Sequence, residues 1–159
     1  MHEHQNPMTG FKLLEQAFSE GFRMRPVPGA EDIFVEIDQG VTSERYTYAR
    51  LAGLKVQQLV VLDENEPLNG LPCFCLFYGT LESLRGRGLT STFIRQCLEQ
   101  FKKDLRPHYG QRYYIESLIE TDNEPSLAIA KKLFGEPSHD GVDQLSGTPT
   151  RIWQFEEIR

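Results

Sequence analysis

The chain has 159 residues, 39% hydrophobic and 25% charged, with a net charge of −6. That length suits one domain with a proper core. No apolar run reaches about 18 residues, which argues against a membrane-spanning helix, and no long Lys/Arg run points to nucleic acid as a partner.

Residues 1–10 read as a flexible tail ahead of a single domain, 11–159. The start lacks a basic region followed by an apolar run, so no secretory signal is read there. His2 and His4 make a poor metal site without a third ligand, and no metal is expected. Phe11, Leu14, Phe18 and Phe22 recur at helical spacing, with Gly21 as the stop. Residues 23–29 form a loop. Ile33, Val35 and Ile37 alternate with Phe34, Glu36 and Asp38, as in a strand with one wet face. Residues 45–51, rich in Tyr and Thr, suggest an edge strand. A third strand over 56–62 ends in the turn-rich stretch 63–70.

Residues 71–81 are apolar on both alternating faces, which reads as a strand buried on both sides. The turn Arg85-Gly86-Arg87-Gly88-Leu89 follows, and then Leu89, Phe93, Ile94, Cys97, Leu98 and Phe101 mark one stripe of a helix. A strand, a glycine-rich turn and a helix aim backbone N–H groups and a positive dipole end at one point, which suits a phosphate or pyrophosphate. The bland alternative is a tight connection that binds nothing. A P-loop and a dinucleotide fingerprint are both excluded, the second by its missing third glycine.

Residues 106–110 break the pattern and 113–120 form another strand. Asp122-Asn123-Glu124-Pro125-Ser126 is a helix start with a capping residue, an early acid and an early proline. Leu127, Ala130, Leu133 and Phe134 give that helix its stripe, and Gly135 closes it. A polar loop over 136–150 leads to a last strand, 151–158. That strand either completes the sheet or helps form a homodimer. The three cysteines, Cys73, Cys75 and Cys97, read as small reduced core residues, which together with the absent signal suggests the cytoplasm. The order predicts a mixed α/β (α+β) domain. Its sheet is mostly antiparallel, with one parallel strand–helix–strand crossover and helices on both faces.

These residues resemble the GNAT superfamily of acyl-CoA-dependent N-acyltransferases, whose R/Q-x-x-G-x-G/A motif lies between a central strand and the next helix. Here it reads Arg85-Gly86-Arg87-Gly88-Leu89-Thr90, matching the first two fixed positions and departing at Thr90. Asn123 and Ser126 match a second family feature, and the resemblance covers about residues 45–135. It implies acetyl-CoA or another acyl-CoA as co-substrate, with its pyrophosphate on the amides of Arg85, Gly86, Arg87, Gly88, Leu89 and Thr90. It also implies a pantetheine arm paired with the backbone of Tyr78, Gly79 and Thr80, where two strands splay apart. Asn123 would lie near that arm or serve as a plain N-cap.

Many family members carry a Tyr seven residues after that Asn to protonate the departing thiolate; here the position is Ala130. For a primary amine acceptor, Glu116 is the candidate base, or else a solvated or salt-bridged glutamate. Tyr78 and Tyr114 are the candidate acids, and a main-chain N–H near Thr80 is the candidate oxyanion donor. Glu82 is read as a cap or an arginine partner. The resulting expectation is an N-acetyltransferase working by direct attack in a ternary complex. The alternative is a catalytically impaired acyl-CoA-binding sensor or interaction module.

Overall fold

The computed structural model describes residues 7–39 and 43–159, so residues 1–6, with His2 and His4, lie outside the described residues. In chain order the elements are α1 (Pro7–Ser19), β1 (Arg25–Val27), β2 (Ala30–Gln39), β3 (Glu44–Ala52), β4 (Lys55–Leu68), β5 (Leu71–Thr80) and α2 (Leu89–Asp104). There follow β6 (Arg112–Glu120), α3 (Glu124–Phe134), β7 (His139–Val142) and β8 (Pro149–Ile158). The strands form one sheet in the order β1-β2-β3-β4-β5-β6-β8-β7. Every pairing is antiparallel except β5 with β6, which α2 connects.

The expected helices on both faces are present. On one face α2 buries Phe93, Ile94, Cys97 and Phe101 against Tyr46, Tyr48, Val60, Leu62, Phe74, Tyr113 and Ile115. Phe101 lies edge-on to Tyr46, Phe74 and Tyr113 at 5.0, 5.1 and 5.5 Å between ring centroids. Each such large side chain contributes roughly 1.5–3 kcal/mol by burial, and the edge-on geometry suits the ring quadrupoles. On the other face α1 packs Phe11 and Phe18 onto Ala49, Leu51, Val56 and Leu59. α3 lies on the α2 side, over Ile119 and Trp153. No helix among the described residues is long and apolar enough to cross a membrane.

Several boundaries differ from the sequence pattern, each for a physical reason. Helix α1 begins at Pro7 rather than Phe11. Proline is favoured at the first helical position, where its missing N–H would have no partner anyway, and Met8 extends the apolar contact. The loop at 23–29 contains β1, a short strand paired with β2 through the turn at Gly29. Strand β3 is not an edge: it sits between β2 and β4. Its tyrosines are fully buried because their hydroxyls donate to carboxylates, Tyr46 to Glu44 and Tyr48 to Asp104, each at 2.7 Å.

The stretch 63–70 is strand as far as Leu68, and only Asn69-Gly70 turns. Both have positive φ, 51° and 78°, as a two-residue hairpin turn requires. Strand β5 is less enclosed than expected, with Cys73, Phe74, Leu76 and Thr80 buried and the remainder partly open. The polar loop at 136–150 contains β7, which pairs with β8 at the sheet edge.

Candidate functional site

Strands β5 and β6 are in register only from Cys73–Tyr114 to Cys75–Glu116. Beyond that vertex β5 continues to Thr80 paired with β4 alone, while β6 continues to Glu120 paired with β8 alone. The two strands splay, and among the described residues the facing backbone edges of 76–80 and 117–120 have no ladder partner.

The mouth of the splay is the turn from Arg85 to Thr90. Gly88, at φ 72° and ψ 7°, is the N-cap of α2, and no side chain caps the helix there. Gly86 has φ 79°, and a Cβ at either glycine would meet no atom within 4 Å. Glycine is required here by backbone conformation, and the space above the turn is open. The first-turn amides of α2 therefore face that space uncapped, with no acidic side chain in the first turn.

The two arginines of the motif part ways. Arg85 folds back, its Nε donating to the Thr80 carbonyl at 2.9 Å, so it staples the turn to the end of β5. Arg87 is exposed and forms no hydrogen bond or ion pair among the described residues. A second cation arrives from α3, where Lys132 Nζ donates to Ser91 Oγ at 3.4 Å. Leu89 is half-buried at the start of the helix.

Thr80 belongs to a line of side chains that sequence reasoning missed. Arg50 donates from NH1 to Gln58 Oε1 at 2.9 Å, and Gln58 Nε2 donates to Thr80 Oγ1 at 3.2 Å. Thr80 Oγ1 lies 2.6 Å from Thr90 Oγ1. The guanidinium of Arg50 is also held by Asp32 at 2.9 Å and by Gln96 at 2.9 Å, and it lies 5.1 Å over the Phe93 ring. The residues come from β2, β3, β4, β5 and α2, so no local spacing announces them.

Tyr78 lies on the α2 side of the splay, packed against the cluster of Ile119, Ala130 and Trp153. Its hydroxyl donates to the Ser126 carbonyl at 3.0 Å, tying β5 to the start of α3. Burial pushes that hydroxyl up to about 12, so it stays protonated at neutral pH. Its proton is thus committed to a carbonyl. Ala130 is fully buried in α3. Asn123 is the N-cap of α3, its Oδ1 accepting from the Ser126 N–H at 3.3 Å.

Glu116 stands at the vertex, on the sheet face opposite α2. It is half-buried and forms no salt bridge among the described residues: Oε2 accepts from Gln154 Nε2 at 2.6 Å and Oε1 from Asn65 Nδ2 at 3.4 Å. The Cys75 thiol also points to Oε1, at 3.6 Å. Cys75 is therefore half-buried and polar-bonded rather than a core filler, unlike the buried Cys73 and Cys97. Burial, with the Glu116 carboxylate, pushes its thiol well above the ordinary range, so it remains S–H. Tyr114 accepts from Asn69 at 3.2 Å on the hairpin, and Glu82 sits in a short turn after β5. Among the described residues no group of His, Cys, Asp or Glu is placed to hold a metal ion. A separate cavity of about 510 Å³ lies between α3, β7 and β8, over Leu127, Lys131 and Trp153.

No family model and no curated protein matches this sequence. Solved structures do match in shape. The ribosomal L7/L12 alpha-N-protein acetyltransferase RimL aligns at TM-score 0.53 and 16% identity, over 72% of this chain and 61% of that one. Its complex with coenzyme A aligns at 0.51, over 72% and 62%. An IAA acetyltransferase from Bacillus cereus ATCC 14579 gives 0.55 at 17% identity, over 71% of this chain and 78% of that one. An acetyltransferase of the GNAT family from Streptococcus pneumoniae gives 0.50 at 14%, over 72% and 66%. This chain thus spans about three fifths of RimL. With its single parallel pair opening onto an uncapped, glycine-led helix, the chain has the fold of the GNAT-family acetyltransferases.

Proposed function

We propose that this protein is an N-acyltransferase that moves an acetyl or related acyl group from acyl-CoA to a primary amine by direct attack in a ternary complex. One observation carries the reading: the splay of β5 from β6 and the uncapped start of α2 open at the same place. The fold it shares with RimL, solved in complex with coenzyme A, adds support.

Main-chain amides from Gly86 to Thr90 suit the pyrophosphate, because donors at a helix start bind an anion whatever their side chains. Arg87, free at the mouth, and Lys132, brought in by α3, add positive charge. The open edge of Tyr78, Gly79 and Thr80 suits the amides of the pantetheine arm, which would pair there like an added strand. Asn123 and Arg85 act by holding α3 and the turn in place. Tyr78 also has a positioning role, since its hydroxyl is spent on Ser126.

Acyl-CoA supplies an activated thioester, and the protein must supply an amine that has lost its proton. Glu116 is the group for that step. Its carboxylate sits at the vertex and is held by two neutral amides rather than by a cation, so it is oriented without having its charge cancelled.

Thermal stabilisation tests the reading. Acetyl-CoA and desulfo-CoA should each raise Tm progressively with concentration, by linkage worth about 2.7 kcal/mol at a hundredfold excess over Kd, whereas ATP should do little. Gly88→Val should abolish most of that shift. No shift with any CoA compound at millimolar concentration would end the acyltransferase reading. Tight CoA binding without transfer to a broad amine panel would favour a sensor that keeps the fold and has lost turnover.

A further inference from the structure

The line of side chains from Arg50 to Thr90 has a direction, and that direction follows from donor and acceptor chemistry. A guanidinium only donates, so Gln58 must present Oε1 to Arg50 NH1 and its NH2 group to Thr80. Thr80 is buried at 4% exposure, and its hydroxyl proton has only Thr90 Oγ1 within reach, at 2.6 Å. Leaving that proton unpaired would strand a buried donor with no acceptor, which folded proteins avoid. Thr80 therefore donates to Thr90. Thr90, half-buried in the first turn of α2, then accepts from behind and has its own proton free to point outward. Among the described residues no acceptor receives it.

We propose that Arg50 and Gln58 are positioning residues of the acyl-CoA site: they polarise this chain so that the Thr90 hydroxyl donates to a pyrophosphate oxygen. The proposal rests on the acyl-CoA reading above and adds a side-chain donor to main-chain amides. It also accounts for a hydroxyl at a position where the turn alone asks only for a small residue. Arg50 is suited to the role because Asp32, Gln96 and the Phe93 ring fix its guanidinium on other sides. The chain begins at a cation of fixed orientation and ends at the mouth of the splay.

Gln58→Glu supplies the decisive reversal. The new carboxylate still pairs with Arg50, but its second oxygen can only accept. Thr80 then donates to position 58, Thr90 turns inward to donate to Thr80, and the outward donor disappears. Calorimetric titration of the intact protein with CoA and with pantetheine, which lacks the pyrophosphate, reads this out. Thr90→Val should weaken CoA binding about tenfold, the size of one charge-assisted hydrogen bond. Gln58→Glu should weaken it by a similar factor, Thr90→Ser should retain it, and pantetheine binding should not change.

The double variant should bind CoA no worse than Thr90→Val alone. Losses that multiply would mean that Glu at 58 acts by plain repulsion, and the relay would be wrong. Thr90→Val, an isosteric change at a half-buried position, keeps the question open to an answer even if Gln58→Glu folds poorly. CoA bound equally well by Thr90→Val and wild type would overturn the relay alone. A wild-type protein that binds no CoA would overturn both the relay and the acyl-CoA reading.

Discussion

Glu116 shows how much a residue's role depends on its immediate partners. A carboxylate at the middle of a strand has two ordinary fates, full solvation or an ion pair, and this half-buried one instead accepts from two neutral amides, with no ion pair among the described residues. Asn65 and Gln154 orient it by donating to its two oxygens, and with an amide in its place one of them need only turn its own amide over to accept from the new NH2 group. Glu116→Gln should therefore fold with stability within about 1 kcal/mol of wild type but lose roughly 10²–10⁴-fold in kcat. The KM for acyl-CoA should stay unchanged. Steady-state kinetics beside a melting curve settle it, and a variant with full kcat would remove Glu116 from the reaction. The residue itself was legible in the sequence, because alternation puts it at a half-buried strand position. Its partners were not. Asn65 lies in a stretch whose composition reads as a turn, and Gln154 comes from the far end of the chain.

At the scale of elements, local chemistry and nonlocal pairing gave different yields. The start of α3 follows from its own residues: Asn123 caps, Glu124 suits the dipole, and Pro125 lies in the first turn. Asn123→Ala should cost about 1 kcal/mol, a drop of roughly 2–4 °C in Tm for a protein of this size, with CoA affinity unaltered. A large loss of CoA affinity at intact stability would instead place Asn123 in contact with the ligand. Strand β3 is the opposite case. Its Tyr-rich and Thr-rich sequence suggests an exposed edge, yet β2 and β4 enclose it. Glu44 and Asp104, both outside that pattern, supply the hydroxyl partners that make burial tolerable.

Over the whole molecule, burial of tyrosine makes the fold sensitive to alkali. The Tyr78 hydroxyl moves from 10.0 to about 12, chiefly through burial. Burial is also the leading cause of the upward shifts at Tyr46, Tyr48, Tyr109 and Tyr113. A folded state with the raised value holds its proton more tightly than the unfolded chain does. The Tyr78 contribution is therefore complete below pH 10.0 and is lost as pH rises towards about 12. Urea midpoints should fall across that window, and less steeply in Tyr78→Phe, which has no proton to lose there. A flat profile through the window would contradict the burial of these hydroxyls.

The sequence by itself determined the strand–turn–helix unit around Arg85 to Thr90, the cap of α3 and the mixed sheet with one crossover. These depend on hydrophobic period, glycine conformation and capping, all of which act within a few residues. Only the tertiary structure decided where β5 leaves β6, that Arg85 turns inward while Arg87 stays free, and that Glu116 has neutral partners. It alone joined Arg50 to Thr90 across four elements. Pairing and side-chain hydrogen bonds of that kind are fixed by the register of strands far apart in the chain, which no local pattern encodes.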